Sequence, residues 1–195
     1  MCGWWPILAA DFTNDSKRSQ ASGANSISGF LGGGLGMIEA PYGVALDGDA
    51  LAKLGGLCAV WSQFEFLIEI TTYHLQKLDI EEGRTQNTLR DISRRLDALK
   101  ILARKELSAE QFPIINDICE RGAIAAQKRN LAVHGNWAFN VDTGKPAAIS
   151  WFKVPFGSPL KVFHLDELLP LLTEAASLGV ATRKFLELRG VLPVP

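Results

Sequence analysis

The chain has 195 residues, of which 47% are hydrophobic and 21% are charged, and these fractions exclude a disordered or fibrous protein and indicate one globular domain. The formal net charge of -1 gives no overall attraction for nucleic acid, so any nucleic-acid-binding surface must be local. No apolar run reaches the roughly 18 residues of a membrane span, and the first residues lack the segments of a secretory signal. We therefore expect a cytoplasmic protein with no membrane partner.

Residues 1–46 differ in composition from the rest of the chain. Residues 14–28 are mostly polar, and a glycine cluster follows at residues 32–36. Ordering such a segment costs conformational entropy that little apolar surface repays. No buried strand precedes the glycines and no Gly-Lys-Ser/Thr follows them, which argues against a phosphate-binding loop. We predict a flexible N-terminal arm over residues 1–46 and a folded domain over residues 47–190.

Two helices are predicted in the first half of this domain. Helix 1 covers residues 49–78, with an apolar stripe at three- and four-residue spacing that contains Leu54, Cys58, Trp61, Ile68 and Leu75. Residues 81–83, which include Gly83, predict a short polar loop. Helix 2 covers residues 85–105, with an inward face of Leu89, Ile92, Leu96, Leu99 and Ala103.

The second half predicts two further helices around a small β insertion. Helix 3 follows a start signal at Ser108 and Gln111, with Pro113 placing its regular part slightly later, and it ends at His134 before a capping Gly135. Alternating residues over about 136–164 predict a β-hairpin, with a possible third strand at residues 160–163. Helix 4 begins near Asp166 and ends near Leu188. The fold class is therefore mainly α, a four-helix up-down bundle with a small β-hairpin between helices 3 and 4.

Three polar residues near the end of helix 3 form the main candidate site. Asn130 and His134 are four residues apart and share one helix face, whereas Arg129 must reach around the helix or act across a dimer interface. A guanidinium binds phosphate oxygens in a fork, and an imidazole transfers protons near neutral pH. The group is suited to phosphate chemistry. The alternative is structural: Arg129 pairs with a carboxylate, and His134 bonds the last carbonyls of the helix.

The run Arg129-Asn130-x-x-x-His134 resembles the Arg-x(4–6)-His motif of the HEPN superfamily, in which a polar residue commonly follows the arginine. Its place at the end of the third helix is also similar, and the similarity covers roughly residues 50–189. The resemblance implies a homodimer whose paired motifs form a composite cleft and cut RNA without metal, by attack of the ribose 2′-OH on the adjacent phosphate. It implies proton transfer by His134, binding of the scissile phosphate by Arg129 and positioning by Asn130.

Other charged residues are supporting candidates. Glu65 lies on the inward stripe of helix 1, where a carboxylate needs a partner. Arg129 or His134 would serve, and the alternative is a salt bridge to Arg90 or Arg94. A basic face formed by Arg90, Arg94, Arg121 and Lys128 predicts an RNA groove, although interleaved acidic residues also allow a merely solvated face.

The resemblance implies a metal-independent endoribonuclease of HEPN type that acts as a homodimer, in a toxin or phage-defence setting with an antitoxin or regulatory protein as a further partner. The alternative is a non-catalytic HEPN-like helical module that binds RNA, nucleotide or a protein. His74 and His164 have no Cys, Asp or Glu at metal-ligand spacing. We expect no metal and no cofactor.

Overall fold

The computed structural model describes residues 46–86, 91–140, 144–150 and 161–193. This part of the chain is mainly helical, with a small antiparallel sheet that follows the fourth helix, so the predicted helical class is confirmed. The α-helices are α1 (Gly48–Gln76), α2 (Ile80–Gln86), α3 (Ile92–Glu106), α4 (Phe112–His134) and α5 (Leu168–Leu188), and the strands are β1 (Asn136–Phe139), β2 (Pro146–Ser150) and β3 (Lys161–His164). The predicted arm lies outside the described residues apart from Leu46, which is buried.

The core lies between the four longer helices. Helix α1 packs against α3 and α5, and α4 packs against the same two helices. The apolar stripe of α1 supplies the largest core side chains, and Trp61, Phe64 and Ile68 are fully buried. Ile92, Leu96, Leu99 and Ala103 of α3 are also buried, as their spacing predicted. Helical periodicity therefore identified the inward faces correctly.

The loop predicted at residues 81–83 is wrong, because these residues lie in the short helix α2. Asp79 Oδ1 accepts a hydrogen bond from Glu82 N at 2.8 Å, and Glu82 Oε2 accepts one from Asp79 N at 3.3 Å. This reciprocal pair is a capping box, which starts a helix by satisfying its first N–H groups. Gly83 suits the helix because its bare backbone lies against the buried ring of Tyr73, where a Cβ would overlap the ring.

Helix α3 accordingly starts later than predicted. Asp91 is its N-cap, and its side chain accepts a hydrogen bond from Ser93 N at 2.9 Å. The predicted start at residue 85 falls within α2 instead. Residues 87–90, which include Arg90 and Leu89, lie outside the described residues.

Helix α1 is 29 residues long, and by length and composition it is apolar enough to cross a membrane. The core helix of a soluble protein meets the same criterion, and in this chain Leu57, Trp61, Phe64 and Ile68 of α1 pack into the core. The length of α1 by itself therefore gives only weak support for a membrane span.

Helix α4 starts at Phe112 with Pro113 in its first turn, a few residues after the predicted Ser108 signal. Ser108 Oγ nevertheless accepts a hydrogen bond from Gln111 N at 3.3 Å. The helix ends at His134 as predicted, and Gly135 is its C-cap. Gly135 donates its N–H to Leu131 O at 2.9 Å with φ at -73°, so its backbone is extended rather than left-handed.

The sheet lies beside the end of α4. Strand β2 pairs antiparallel with β1 and with β3, which confirms the hairpin and the third strand. Trp137, Ala148 and Phe163 form one row across the sheet, and the Trp137 and Phe163 rings meet edge to face at 6.1 Å. Trp137 Nε1 donates to Ala132 O at 2.9 Å, which joins the sheet to α4. Residues 141–143 and 151–160, with Trp151 and Val154, lie outside the described residues.

The prediction that Asp166 caps the last helix is wrong by one residue, because the N-cap of α5 is Glu167. A 3-10 turn, Leu165–Glu167, precedes α5, and Asp166 lies within it. His164 starts this turn, and its backbone N–H donates to Glu167 Oε1 at 3.2 Å. Aspartate is a favourable N-cap residue, which is why the sequence pointed to Asp166. The chain, however, passes directly from β3 into the 3-10 turn, so His164, the last residue of β3, is the N-cap of that turn.

His74, near the end of α1, makes the stability of the fold depend on pH. Burial and the nearby Arg189 guanidinium lower the pKa of His74 below its usual 6.5. The unfolded chain restores the ordinary pKa, so unfolding takes up protons between the two pKa values. The contribution of His74 to the stability of the fold is therefore fully present above the pKa that His74 has in the unfolded chain. It is lost as the pH falls through the pKa that His74 has in the folded chain.

We expect His74→Gln to flatten the decline in the free energy of unfolding between about pH 7.5 and pH 5. Urea unfolding curves collected across this range for both proteins measure the difference. Identical pH slopes for the two proteins would contradict the prediction.

Candidate active site

The end of α4 brings the three predicted site residues into direct contact. Arg129 Nη1 donates hydrogen bonds to Asn130 Oδ1 and to His134 Nε2, each at 3.2 Å. Asn130 and His134 are exposed on one face of the helix, and Arg129 is half-buried. Within one chain, the Arg129 side chain reaches around the helix to His134.

The hydrogen bond between Arg129 and His134 specifies the state of the imidazole. A guanidinium has only donors, so His134 Nε2 must accept with its lone pair. The imidazole in this contact is therefore neutral, with its proton on Nδ1. Nε2 becomes free to accept a proton from another molecule once Arg129 turns to a different acceptor.

Arg129 retains unused binding capacity. Its Nε is buried and has no hydrogen-bond partner, and no carboxylate of the described residues forms an ion pair with its guanidinium. A buried donor without a partner costs free energy, and a ligand that satisfies it recovers that cost. An anion with several oxygens suits this guanidinium, since it can accept two parallel hydrogen bonds.

These side chains open into a groove with a volume of about 990 Å³. The described lining residues come from α1, from the start of α3, from the second half of α4 and from the sheet with the turn that follows it. Besides the three site residues they include Glu65, Asp91, Lys128, Ser150, Lys161 and Glu167. A volume at the upper end of the range for small-ligand sites exceeds what a single phosphate needs. The groove therefore has room for a ligand with several groups.

Glu65 lines the groove, but its partner is not one of the predicted residues. Its Oε1 accepts a hydrogen bond from Trp61 Nε1 at 2.6 Å, one turn earlier on α1. An ion pair of Glu65 with Arg94, Arg129 or His134 is not present among the described residues, and Arg90 lies outside them. The prediction that the Glu65 carboxylate has a hydrogen-bond partner is confirmed, but the donor is the indole of Trp61, which the helical periodicity had assigned only to the core.

Lys128 also lines the groove, and it has a carboxylate partner. Its Nζ donates to Glu167 Oε2 at 2.7 Å. Burial would raise the pKa of Glu167, but hydrogen bonds from Lys128 and from the His164 backbone N–H outweigh burial and hold that pKa below its usual range. This ion pair joins α4 to the turn before α5 at the edge of the groove.

The other two described basic candidates lie outside the groove lining. Arg121 donates from Nε to Glu174 Oε1 at 2.8 Å and from Nη1 to Asp117 Oδ2 at 3.0 Å, and these hydrogen bonds raise its pKa. Its guanidinium thus joins α4 to α5. Arg94 is exposed on α3. RNA binding by these two residues stays a prediction, as does that of Arg90.

Sequence reasoning missed Lys161, Ser150, Asp91 and Glu167 as groove residues. They belong to different elements of the fold, and no spacing pattern links them to the Arg129 motif. Of the four, only Lys161 could have been suspected from the sequence, because it lies in the predicted third strand of the β insertion that follows helix 3. Among the described residues, no group of three or more His, Cys, Asp or Glu side chains is arranged to hold a metal ion.

Comparisons of the chain with protein-family models, with curated proteins and with solved structures found no significant match.

Proposed function

We propose that the protein is a metal-independent endoribonuclease of the HEPN type that works as a homodimer. The observation behind this proposal is the contact of Arg129 with both Asn130 and His134 in an open groove. We also propose that α1, α3, α4 and α5 form the four-helix bundle of that family. The packing of α1 and α4 on the same two neighbours supports this arrangement.

The first role in the proposed reaction belongs to Arg129. A phosphodiester that enters the groove offers the guanidinium two charged oxygens, which are stronger acceptors than the neutral imidazole nitrogen. Arg129 then turns from His134 to the phosphate and binds the charge that develops on its oxygens. Asn130 stays beside both groups and positions them through its side-chain amide.

His134 then acts as the general base. Its freed Nε2 accepts the proton of the ribose 2′-OH, whose oxygen attacks the adjacent phosphorus. The new O2′–P bond forms as the P–O5′ bond breaks, which leaves a 2′,3′-cyclic phosphate and a 5′-OH end. A second proton donor, which the family resemblance places in the motif of the other protomer, protonates the departing O5′. This requirement is the reason for the proposed homodimer.

The test is RNA cleavage in EDTA by the wild type and by the His134→Ala and Arg129→Ala variants. We expect the wild type to produce cyclic phosphate ends, detected by mass spectrometry of a defined oligonucleotide. Each variant should lose at least about 100-fold in rate, since general acid–base and electrostatic contributions each reach this size. The matched control is His74→Ala. His74 contacts Arg189, which in turn contacts Gln111 at the start of α4, whereas His134 lies at the other end of this helix, roughly 33 Å away. Loss of the His74 imidazole should therefore leave cleavage unchanged.

Two results would contradict the proposal. One is the absence of cleavage by the wild type at high enzyme concentration, and the other is equal cleavage by the wild type and His134→Ala. In the first case, retained RNA binding would favour the alternative of a non-catalytic module. Sedimentation of the purified protein tests the homodimer separately. We further propose a cytoplasmic location and a toxin or phage-defence setting with an antitoxin or regulatory partner.

A further inference from the structure

Lys161 is a groove residue that the proposed reaction does not use. It lies at the start of β3, opposite Ser150 of β2, and both residues line the groove. Side chains alternate along a strand, so Lys161 shares a sheet face with Phe163, which is buried against the helical core. Its side chain therefore extends from the sheet on the side that faces α4.

The charges of the groove make Lys161 different from Lys128. Lys128 forms an ion pair with Glu167, whereas the exposed Lys161 has no ion pair with any carboxylate that the structure describes. The acidic residues of the groove also have donors of their own: Glu65 binds the Trp61 indole, Asp91 caps α3, and Glu167 binds Lys128. Among the described lining residues, the two cations without a carboxylate partner are Arg129 on α4 and Lys161 on β3.

Arg129 and Lys161 supply positive charge to one groove from two different elements, α4 and β3. Lysine binds phosphate as a point charge on a flexible stem, and arginine binds it in a fork. A strand of nucleic acid carries a phosphate at every nucleotide, so a strand held by Arg129 presents another phosphate nearby. The large volume of the groove leaves room for the nucleotide between them.

We propose that Lys161 binds a second phosphate of the RNA strand, next to the phosphate held by Arg129, so that β3 sets the path of a single strand along the groove. The inference rests on the proposed function, because both use the same groove, but it concerns binding rather than catalysis. Single-stranded RNA is the substrate class that follows, since the exposed apolar Ile124 lies among the same lining residues and can contact an unstacked base.

The test separates binding from cleavage with a single-stranded DNA oligonucleotide, which has the phosphates but lacks the attacking 2′-OH. Its affinity is measured by fluorescence anisotropy over a series of salt concentrations. Lys161→Gln should weaken binding roughly twofold to fivefold, as expected for one exposed ion pair. It should also reduce the steepness of the salt dependence by about 0.7 in the slope of log K against log salt, the value for one phosphate contact on a single strand.

Two further variants separate charge from structure. Lys161→Arg keeps the charge and should keep the wild-type slope. Lys184→Gln removes an exposed lysine of α5 that lies outside the groove lining and should also keep that slope. Equal slopes for the wild type and Lys161→Gln would overturn the inference, and so would the absence of oligonucleotide binding by the wild type.

The same proteins, assayed for RNA cleavage, distinguish the two proposals. Cleavage that does not depend on Lys161, together with unchanged binding, overturns the inference and leaves the nuclease intact. A Lys161-dependent binding slope without any cleavage supports the inference and contradicts the nuclease.

Discussion

Replacement of Trp61 by alanine should lower the free energy of unfolding by about 3–5 kcal/mol, the largest single-residue effect on stability that we expect in this chain. Trp61 is fully buried in α1, and its ring meets that of Phe64 edge to face at 5.3 Å. The substitution removes this apolar contact area and leaves a cavity that surrounding helices fill only in part. Urea unfolding followed by circular dichroism measures the change.

The Trp61 indole also supports the candidate site, because its Nε1 donates to Glu65. Trp61→Phe keeps most of the apolar volume and removes this donor. It should therefore cost less stability than Trp61→Ala while leaving the Glu65 carboxylate without its hydrogen bond. Phe66→Ala is the matched control on the same helix, since Phe66 is 47% exposed and should cost under about 1 kcal/mol. Equal losses for Trp61→Ala and Phe66→Ala would contradict the assignment of Trp61 to the core.

Replacement of Gly135 by alanine should destabilise the junction between α4 and the sheet by about 1–3 kcal/mol, the range for overpacked sites. An added Cβ would overlap the carbonyl oxygen of Leu131 and would lie 3.0 Å from the Ala148 Cβ. The overlapping group is backbone and cannot turn away. The last turn of α4 and its junction with β2 must therefore distort to admit the Cβ.

This movement should also affect cleavage, because His134 immediately precedes Gly135. A displacement of about 1 Å in a catalytic group can cost roughly 100-fold in rate. Thermal unfolding and the RNA cleavage assay together measure both effects. Gly179→Ala is the control: nothing lies within 4 Å of its added Cβ, and alanine in a helix should stabilise by up to about 1 kcal/mol. A Gly135→Ala variant with wild-type stability and activity would show that the junction tolerates a side chain.

Gly135 was correctly predicted as the C-cap of α4, but the reason for a glycine at this position differs from the one that the sequence suggests. The sequence places a glycine after the last helical residue, which is the usual position for a left-handed cap. The structure has an extended backbone at this position, and the Leu131 carbonyl oxygen of α4, together with the Ala148 Cβ of β2, leaves no room for a side chain. The helix end was therefore predictable, whereas part of the spatial constraint comes from a strand more than ten residues away.

The sequence by itself determined the helical class, the inward faces of α1 and α3, the end of α4 and the proximity of Asn130 to His134. All of these follow from the fixed repeat of a helix, which is a property of neighbouring residues. Tertiary structure alone decided that Glu65, Lys161 and Glu167 line the same groove as Arg129. It also decided that Arg121 is joined to Glu174, 53 residues further along the chain. Such contacts depend on how separate elements pack against one another, and no local repeat in the sequence encodes that packing.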